Sequence, residues 1–322
     1  MTVSRETSSG FVIRTAAEVA EGTGPLHDDS TPMARAAEHS VLVRTGARPA
    51  LPRPQATRVF VVANQKGGVG KTTSTVNIAA ALAQVGQRVL VIDLDPQGNA
   101  STALGVAHDR GVASTYDVLV DGEPLADVMQ ESSEAPGLYV VPATIDLAGA
   151  EIELVSVVAR ENRLRKAILA HPWVGGAEEK GAERFDYVFI DCPPSLGLLT
   201  LNALCAGAEM LIPIQAEYYA LEGLGQLLET VEMVKAHLNP NLIVSTILIT
   251  MYDGRTRLAA GVAEEVREHF GPQVLKTSIP RSVRVSEAPS YGQTVMTYDP
   301  GSPGALCYLE AARELAIKGA PR

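Results

Sequence analysis

The feature that most constrains this chain lies between residues 58 and 86. An apolar, β-branched run, Arg58 to Asn64 (RVFVVAN), enters a loop rich in glycine and lysine, and a helical pattern follows at once. The run is short and does not alternate, as expected of a strand buried on both faces. From Thr72 to Val85 the apolar residues Val76, Ile78, Ala79 and Leu82 keep close to helical spacing, and Gly86 ends the helix. A strand, a glycine-rich turn and a helix opening on Lys-Thr-Thr aim backbone N–H groups and a helix N-terminus at one point. That arrangement suits a polyphosphate. Lys71 is then placed to contact its phosphates, and the Thr72 hydroxyl to ligate Mg²⁺.

The loop departs from the usual phosphate-loop pattern GxxxxGK[ST], because Gln65 stands where the first glycine is expected. The competing dinucleotide pattern GxGxxG fits Gly68 and Gly70 but needs its last glycine at Thr73. What is present is Lys66-Gly67-Gly68-Val69-Gly70-Lys71-Thr72-Thr73, with a second lysine, Lys66, near the start of the loop.

The strand-then-helix alternation recurs. Arg88 to Asp93, Phe185 to Asp191, Glu209 to Ile214 and Leu242 to Thr250 read as further buried strands, separated by helical stretches such as Leu221 to Leu238. This predicts an α/β fold, a largely parallel twisted sheet with helices on both faces. No internal repeat and no second domain boundary follow Arg58. Two of the strands end on acids: Asp93 and Asp95 after RVLVI, and Asp191 after DYVFI. In a parallel sheet the C-terminal strand ends open into the same crevice as the phosphate loop, so these three carboxylates are expected at one metal-dependent site.

Residues 1–57 differ in character. They hold five prolines, six acidic and six basic residues, no aromatic residue after Phe11 and no sustained apolar period. Such a segment buries too little surface to offset its ordering entropy, so a disordered extension is expected, with one folded domain over 58–322. The chain has 322 residues, 46% of them hydrophobic, enough for a large core. It has no run long enough to span a membrane and no secretory leader pattern, so a cytosolic protein is expected. Cys192, Cys205 and Cys307 are far apart with no CxxC spacing, and are expected to be reduced and mostly buried. A net charge of −10 argues against a uniformly basic coat for nucleic acid but leaves room for a local patch. Between Arg255 and Arg284 six basic residues face three acidic ones.

From about Arg58 onward the chain resembles the chromosome-partitioning ATPases of the ParA/Soj family, the deviant Walker-A type related to MinD. The stretches that carry the resemblance are NQKGGVGKTT, DLDPQGNASTALG, PATIDLAGAEIELV, DCPPSLGLLTLNAL, EYYALEGLGQLLETV, TMYDGRT and IPRSVRVSEAPSYG, spread over nearly all of the folded region. The resemblance implies ATP and Mg²⁺ held by Gly67, Gly68, Val69, Gly70, Lys71, Thr72 and Thr73, and sandwiched in a homodimer. Lys66 would reach across to the partner's phosphates, and Gly67 would lie at the tight dimer contact. Asp95 would orient the attacking water, Asp191 would be the Walker-B carboxylate near Mg²⁺, and Asp93 would support it through bound water or the loop. It further implies non-specific DNA binding through Arg255 and Arg284, with Arg281 and Arg257 as further candidates, and ATP hydrolysis stimulated by a ParB-like centromere-binding protein. With no aromatic ladder among these arginines, binding is expected to be through phosphates. A slow intrinsic ATPase, a nucleoid-associated location and no stable membrane association complete the expectation.

Two other classes share parts of this pattern. A MinD-like membrane-associated ATPase needs a basic amphipathic terminal helix, whereas Ala305 to Lys318 carries only Arg313 and Lys318 as cations and reads as a docked helix. A member resembling nitrogenase iron protein needs cysteines placed to share an iron–sulfur cluster, a spacing that Cys192 and Cys205 do not match.

Overall fold

Alternate residues of the central strands enter two separate cores, one on each face of the sheet. On β1 (Arg58–Val62) Val59 and Val61 face one core while Phe60 and Val62 face the other. The same division runs along β2 (Val89–Asp93), where Leu90 and Ile92 oppose Val89 and Val91. The computed structural model describes residues 50–176, 181–217 and 220–319. Its sheet is completed by β3 (Gln130–Glu131), β4 (Leu138–Val141), β5 (Tyr187–Asp191), β6 (Glu209–Gln215) and β7 (Ile243–Thr250). The strand order is β3-β4-β2-β5-β1-β6-β7, and every pairing is parallel except that of β3 with β4. Chain order runs outward in one direction from β1 toward β2 and in the other through β6 to β7. The C-terminal end of β1 is therefore the switch point, where parallel sheets leave a crevice for ligands.

Helix α1 (Lys71–Gln84) covers one face together with the final helix, Pro303–Lys318. Apolar residues of Leu198–Ala206, Ala220–His237 and Arg257–Phe270 cover the other. The α/β class and the parallel sheet agree with the expectation. The strand pair β3 and β4 was not foreseen, because Leu138–Val141 is only four residues long and is preceded by a two-residue partner rather than a helix.

The outer edge of β7 is closed by the segment that follows the helix Arg257–Phe270. Leu275 N–H donates to Ile247 O at 2.9 Å, and Ile279 N–H to Ile249 O at 2.8 Å. That run carries the chain up the strand to Arg281, at the same end of the sheet as the loop.

Residues 50–57, assigned to the tail by composition, lie against the opposite end of the sheet. Thr57 Oγ1 donates to Phe185 O at 2.7 Å, Arg53 pairs with the buried Asp186 at 2.9 Å, and Arg184 donates to Pro54 O at 2.7 Å. Composition could not reveal these bonds, since their partners lie more than a hundred residues away in sequence. The rest of the proposed extension, residues 1–49, lies outside the described residues.

Candidate active site

The loop between β1 and α1 is shaped by two glycines and fastened at both ends. Gly68 and Gly70 take φ of 73° and 85°, values that side chains rarely adopt, and Gly70 is the residue on which α1 begins. Asn64 fixes the entry: its Nδ2 donates to Pro213 O of β6 at 2.8 Å and its Oδ1 accepts from Lys66 N–H at 3.0 Å. Thr250, the last residue of β7, fixes the middle by donating to Val69 O at 2.8 Å. The next residue, Met251, has a φ of 50°, a strained value for a side chain of that size.

Gly67 is different. It is exposed, it has no positive φ, and a Cβ placed on it would meet nothing within 4 Å. No described residue of this chain demands glycine there, so any such demand must come from a ligand or another molecule.

The three carboxylates converge as the sheet register requires. Asp93 and Asp191 are paired across β2 and β5, and Val62 is level with Asp191 across β1 and β5. Alternation turns both acids to the face covered by α1. There Thr75 of α1 donates to Asp191 Oδ1 at 2.8 Å. Asp191 Oδ2 is buried and accepts no hydrogen bond of good geometry from a described residue, although the Thr72 hydroxyl lies near enough to pull against the rise in the Asp191 pKa. Burial pushes the Asp191 carboxyl well above the usual carboxylate range, and the neighbouring Asp93 charge adds to the effect.

Asp93 is saturated instead. Its Oδ2 accepts from Ser101 N–H at 2.9 Å and from Ser101 Oγ at 2.7 Å, and its Oδ1 accepts from Asp95 N–H at 3.1 Å. Burial raises its pKa, against the pull of these hydrogen bonds. The carboxylate therefore shapes the turn that presents Asp95. Asp95 in turn accepts from Gln97 N–H through Oδ1 at 3.0 Å, and its Oδ2 has no partner among the described residues.

The two lysines of the loop occupy unlike surroundings. Lys71 is 7% exposed, and its Nζ lies 3.4 Å from Lys66 O. Burial lowers its pKa, while Asp191 and Asp95 oppose the change. Lys66 has a side chain 39% exposed and extends to the rim, where its Nζ pairs with Glu217 Oε2 at 2.8 Å. Thr72 and Thr73, the next residues of α1, are half-buried at the mouth of the crevice.

The donor set fits a hydrated magnesium polyphosphate. An orphaned buried carboxylate oxygen, an enclosed ammonium and an open cradle at Gly67 and Gly68 stand together at a helix N-terminus. Among the described residues no cluster of three or more His, Cys, Asp or Glu side chains could hold a metal by themselves. Mg²⁺ does not need one, since it keeps waters and binds through one or two side chains plus phosphate oxygens.

The candidate DNA-contacting arginines are exposed; Arg257, at the start of the helix Arg257–Phe270, makes no ion pair with a described residue, whereas the other three each meet a carboxylate. Arg255 pairs with Asp253 at 2.9 Å, Arg281 with Glu217 at 3.5 Å, and Arg284 with Glu287 at 3.3 Å and Asp299 at 3.5 Å. Arg267 donates to Ser278 Oγ at 2.9 Å. Sequence counting saw an excess of basic residues but not these partners. Tyr291 stacks on Tyr298 at 5.1 Å between ring centroids, and the Tyr298 hydroxyl and Arg284 both meet Glu287, so one ring of this pair shares a carboxylate with that arginine.

The final helix buries Ala305, Tyr308, Ala311, Ala312 and Leu315 in the core beside α1. Cys192 and Cys205 are both fully buried, and Cys307 is half-buried; all three are free thiols.

Comparison with known proteins places this geometry. Residues 57–244 match the AAA domain family. The Bacillus subtilis sporulation initiation inhibitor protein Soj is 50% identical over 81% of this chain and 99% of its own length. The Myxococcus xanthus chromosome partitioning protein ParA is 48% identical over 82% of this chain and 90% of its own. A solved structure from Mycobacterium smegmatis, described as cobyrinic acid a,c-diamide synthase with bound ATP analogue and magnesium, is 39% identical, covers 80% of this chain and 93% of that one, and superposes with a TM-score of 0.65. A P-loop fold, a phosphate loop carrying two lysines and identity near one half over almost the whole folded region lead to one assignment: the chain belongs to the ParA/Soj family of chromosome-partitioning ATPases.

Proposed function

We propose that this chain is an ATP-driven dimerisation switch that binds DNA without sequence preference and serves chromosome partitioning. The observation that carries the reading is the contrast between the two loop lysines. Lys71 is enclosed against its own loop, whereas Lys66 lies at the rim, where a second subunit could be reached.

In this reading backbone N–H groups of Gly67 to Thr73 cradle the phosphates of ATP, and Lys71 neutralises them from inside. Thr72 Oγ1 and Asp191 would hold Mg²⁺, which would supply charge neutralisation of the phosphates. Asp191 Oδ2 is the acceptor that a magnesium-bound water would satisfy. Asp95 holds the attacking water through its free oxygen. Asp93 keeps Asp95 in place through the turn it anchors. Lys66 of each subunit meets the phosphates held by the other, adding positive charge where the transferred phosphoryl group becomes more negative. Gly67 is open because a partner backbone comes close there.

DNA binding falls to Arg255, Arg284 and Arg281, whose present carboxylate partners must yield to phosphates. A ParB-like partner stimulates hydrolysis and so releases the dimer; without it turnover is slow, because the bound state must last until the partner arrives. The location that follows is cytoplasmic and nucleoid-associated. No helix among the described residues is long and apolar enough to cross a membrane.

Arg284→Glu tests the DNA surface. Reversing a charge at a phosphate contact should abolish binding at physiological salt, and the residual low-salt binding should show a log–log salt slope smaller by about one or more. ATP-dependent dimerisation should be unchanged. Fluorescence anisotropy with a random duplex, beside sedimentation in ATP, reads both. Loss of nucleotide binding in this variant would remove Arg284 from the DNA surface.

A further inference from the structure

Glu217, just past the end of β6, joins the phosphate loop to the arginine surface. Its Oε2 accepts from Lys66 Nζ at 2.8 Å, and its Oε1 lies 3.5 Å from Arg281 Nη2. Gln215 Nε2 donates to the same Oε1. The Lys66 contact, with the nearby charges of Lys66 and Arg281, holds the Glu217 carboxyl below the usual range, so it is ionised throughout the neutral range. Asn64 ties the backbone of Lys66 to β6, the strand that leads to Glu217. With the backbone held, the ion pair opens by side-chain rotation, without moving the loop.

We propose that Glu217 is a latch that holds Lys66 folded onto its own chain, and that pairing of two ATP-bound copies must open it. The inference rests on the reading of Lys66 as the residue that crosses to the partner. An ammonium bonded to a carboxylate at 2.8 Å has to give up that contact to meet phosphate oxygens on another molecule. The ion pair thus favours the single chain over the dimer and sets how much ATP and protein are needed to switch. Among the cations of the described residues, opening leaves Arg281 alone on Glu217, so the state of the loop is felt on the surface assigned to DNA.

The pair is half exposed, so each latch is worth a modest factor, about threefold, and two open per dimer. Glu217→Gln keeps the shape and removes the charge. In sedimentation with ATP and Mg²⁺ but no DNA, it should tighten the dimer about tenfold at low salt. The gap should close at about 0.5 M salt, where screening has already weakened the wild-type pair. Glu217→Asp, shorter but charged, should fall between the two. Glu232→Gln, the same charge change within a surface helix ion pair, should leave the dimer as in wild type.

Unchanged or weaker dimerisation of Glu217→Gln, an equal gain in Glu232→Gln, or a gap that persists at high salt overturns the latch. If the wild-type protein itself stays single in ATP, the dimer switch fails and the latch with it. If wild type pairs and Glu217→Gln gains nothing, the latch alone fails.

Discussion

Asp95→Ala is expected to slow ATP turnover by about 10²–10⁴-fold, the usual contribution of a positioned acid–base or water-orienting group. It should do so without loosening ATP. The Asp95 carboxylate takes no phosphate contact in this account, and its one internal bond, from Gln97 N–H at 3.0 Å, is worth about 1 kcal/mol to the turn. Its backbone N–H still donates to Asp93 Oδ1, so the loop keeps its path. The variant should accumulate as an ATP-bound dimer on DNA that a ParB-like partner fails to release. Phosphate release and sedimentation, run on the same preparation, read both halves. Hydrolysis at the wild-type rate would mean that another group orients the water.

Lys71→Ala should instead remove nucleotide binding. Hydrogen bonds to charged groups are worth about 1.5–3 kcal/mol each, and an enclosed ammonium serving two phosphates loses roughly two of them. The ATP Kd should rise by about 10²–10³-fold or more. Dimerisation and DNA binding should be lost with it. The fold should survive, because among the described residues Lys71 Nζ has only a long contact of 3.4 Å to Lys66 O, and its burial opposes its charge. Isothermal titration with a slowly hydrolysed ATP analogue, beside a thermal melt of the free protein, separates lost binding from lost folding. Wild-type affinity in this variant would take Lys71 out of the phosphate site.

Much of the fold was legible because buried parallel strands announce themselves as continuous apolar runs. Arg58 to Asn64 and Glu209 to Ile214 needed no partner to be read, and their observed limits, Arg58–Val62 and Glu209–Gln215, differ only at the ends. The loop was legible for a local reason too, since its glycines are demanded by its own backbone at Gly68 and Gly70. What the sequence hid depends on distance along the chain. Nothing local marks Ser101 as the clamp on Asp93, or Thr75 as the donor to Asp191, 116 residues away. The carboxylates that pair with the arginines between Arg255 and Arg284 lie outside that window: Glu217 is 64 residues from Arg281, and Asp299 follows Arg284 on another turn of chain. Short elements were hidden for want of period, as Leu138–Val141 illustrates.

The central claim is that one loop makes ATP the control of both pairing and DNA binding. Sedimentation velocity of the wild-type chain with Mg²⁺ and either ATP or ADP, with and without a random duplex, tests it most directly. The account predicts a single chain in ADP that ignores DNA, and in ATP a dimer that carries the duplex with it. A chain that stays single in ATP, or that binds the duplex equally in both nucleotides, would contradict it.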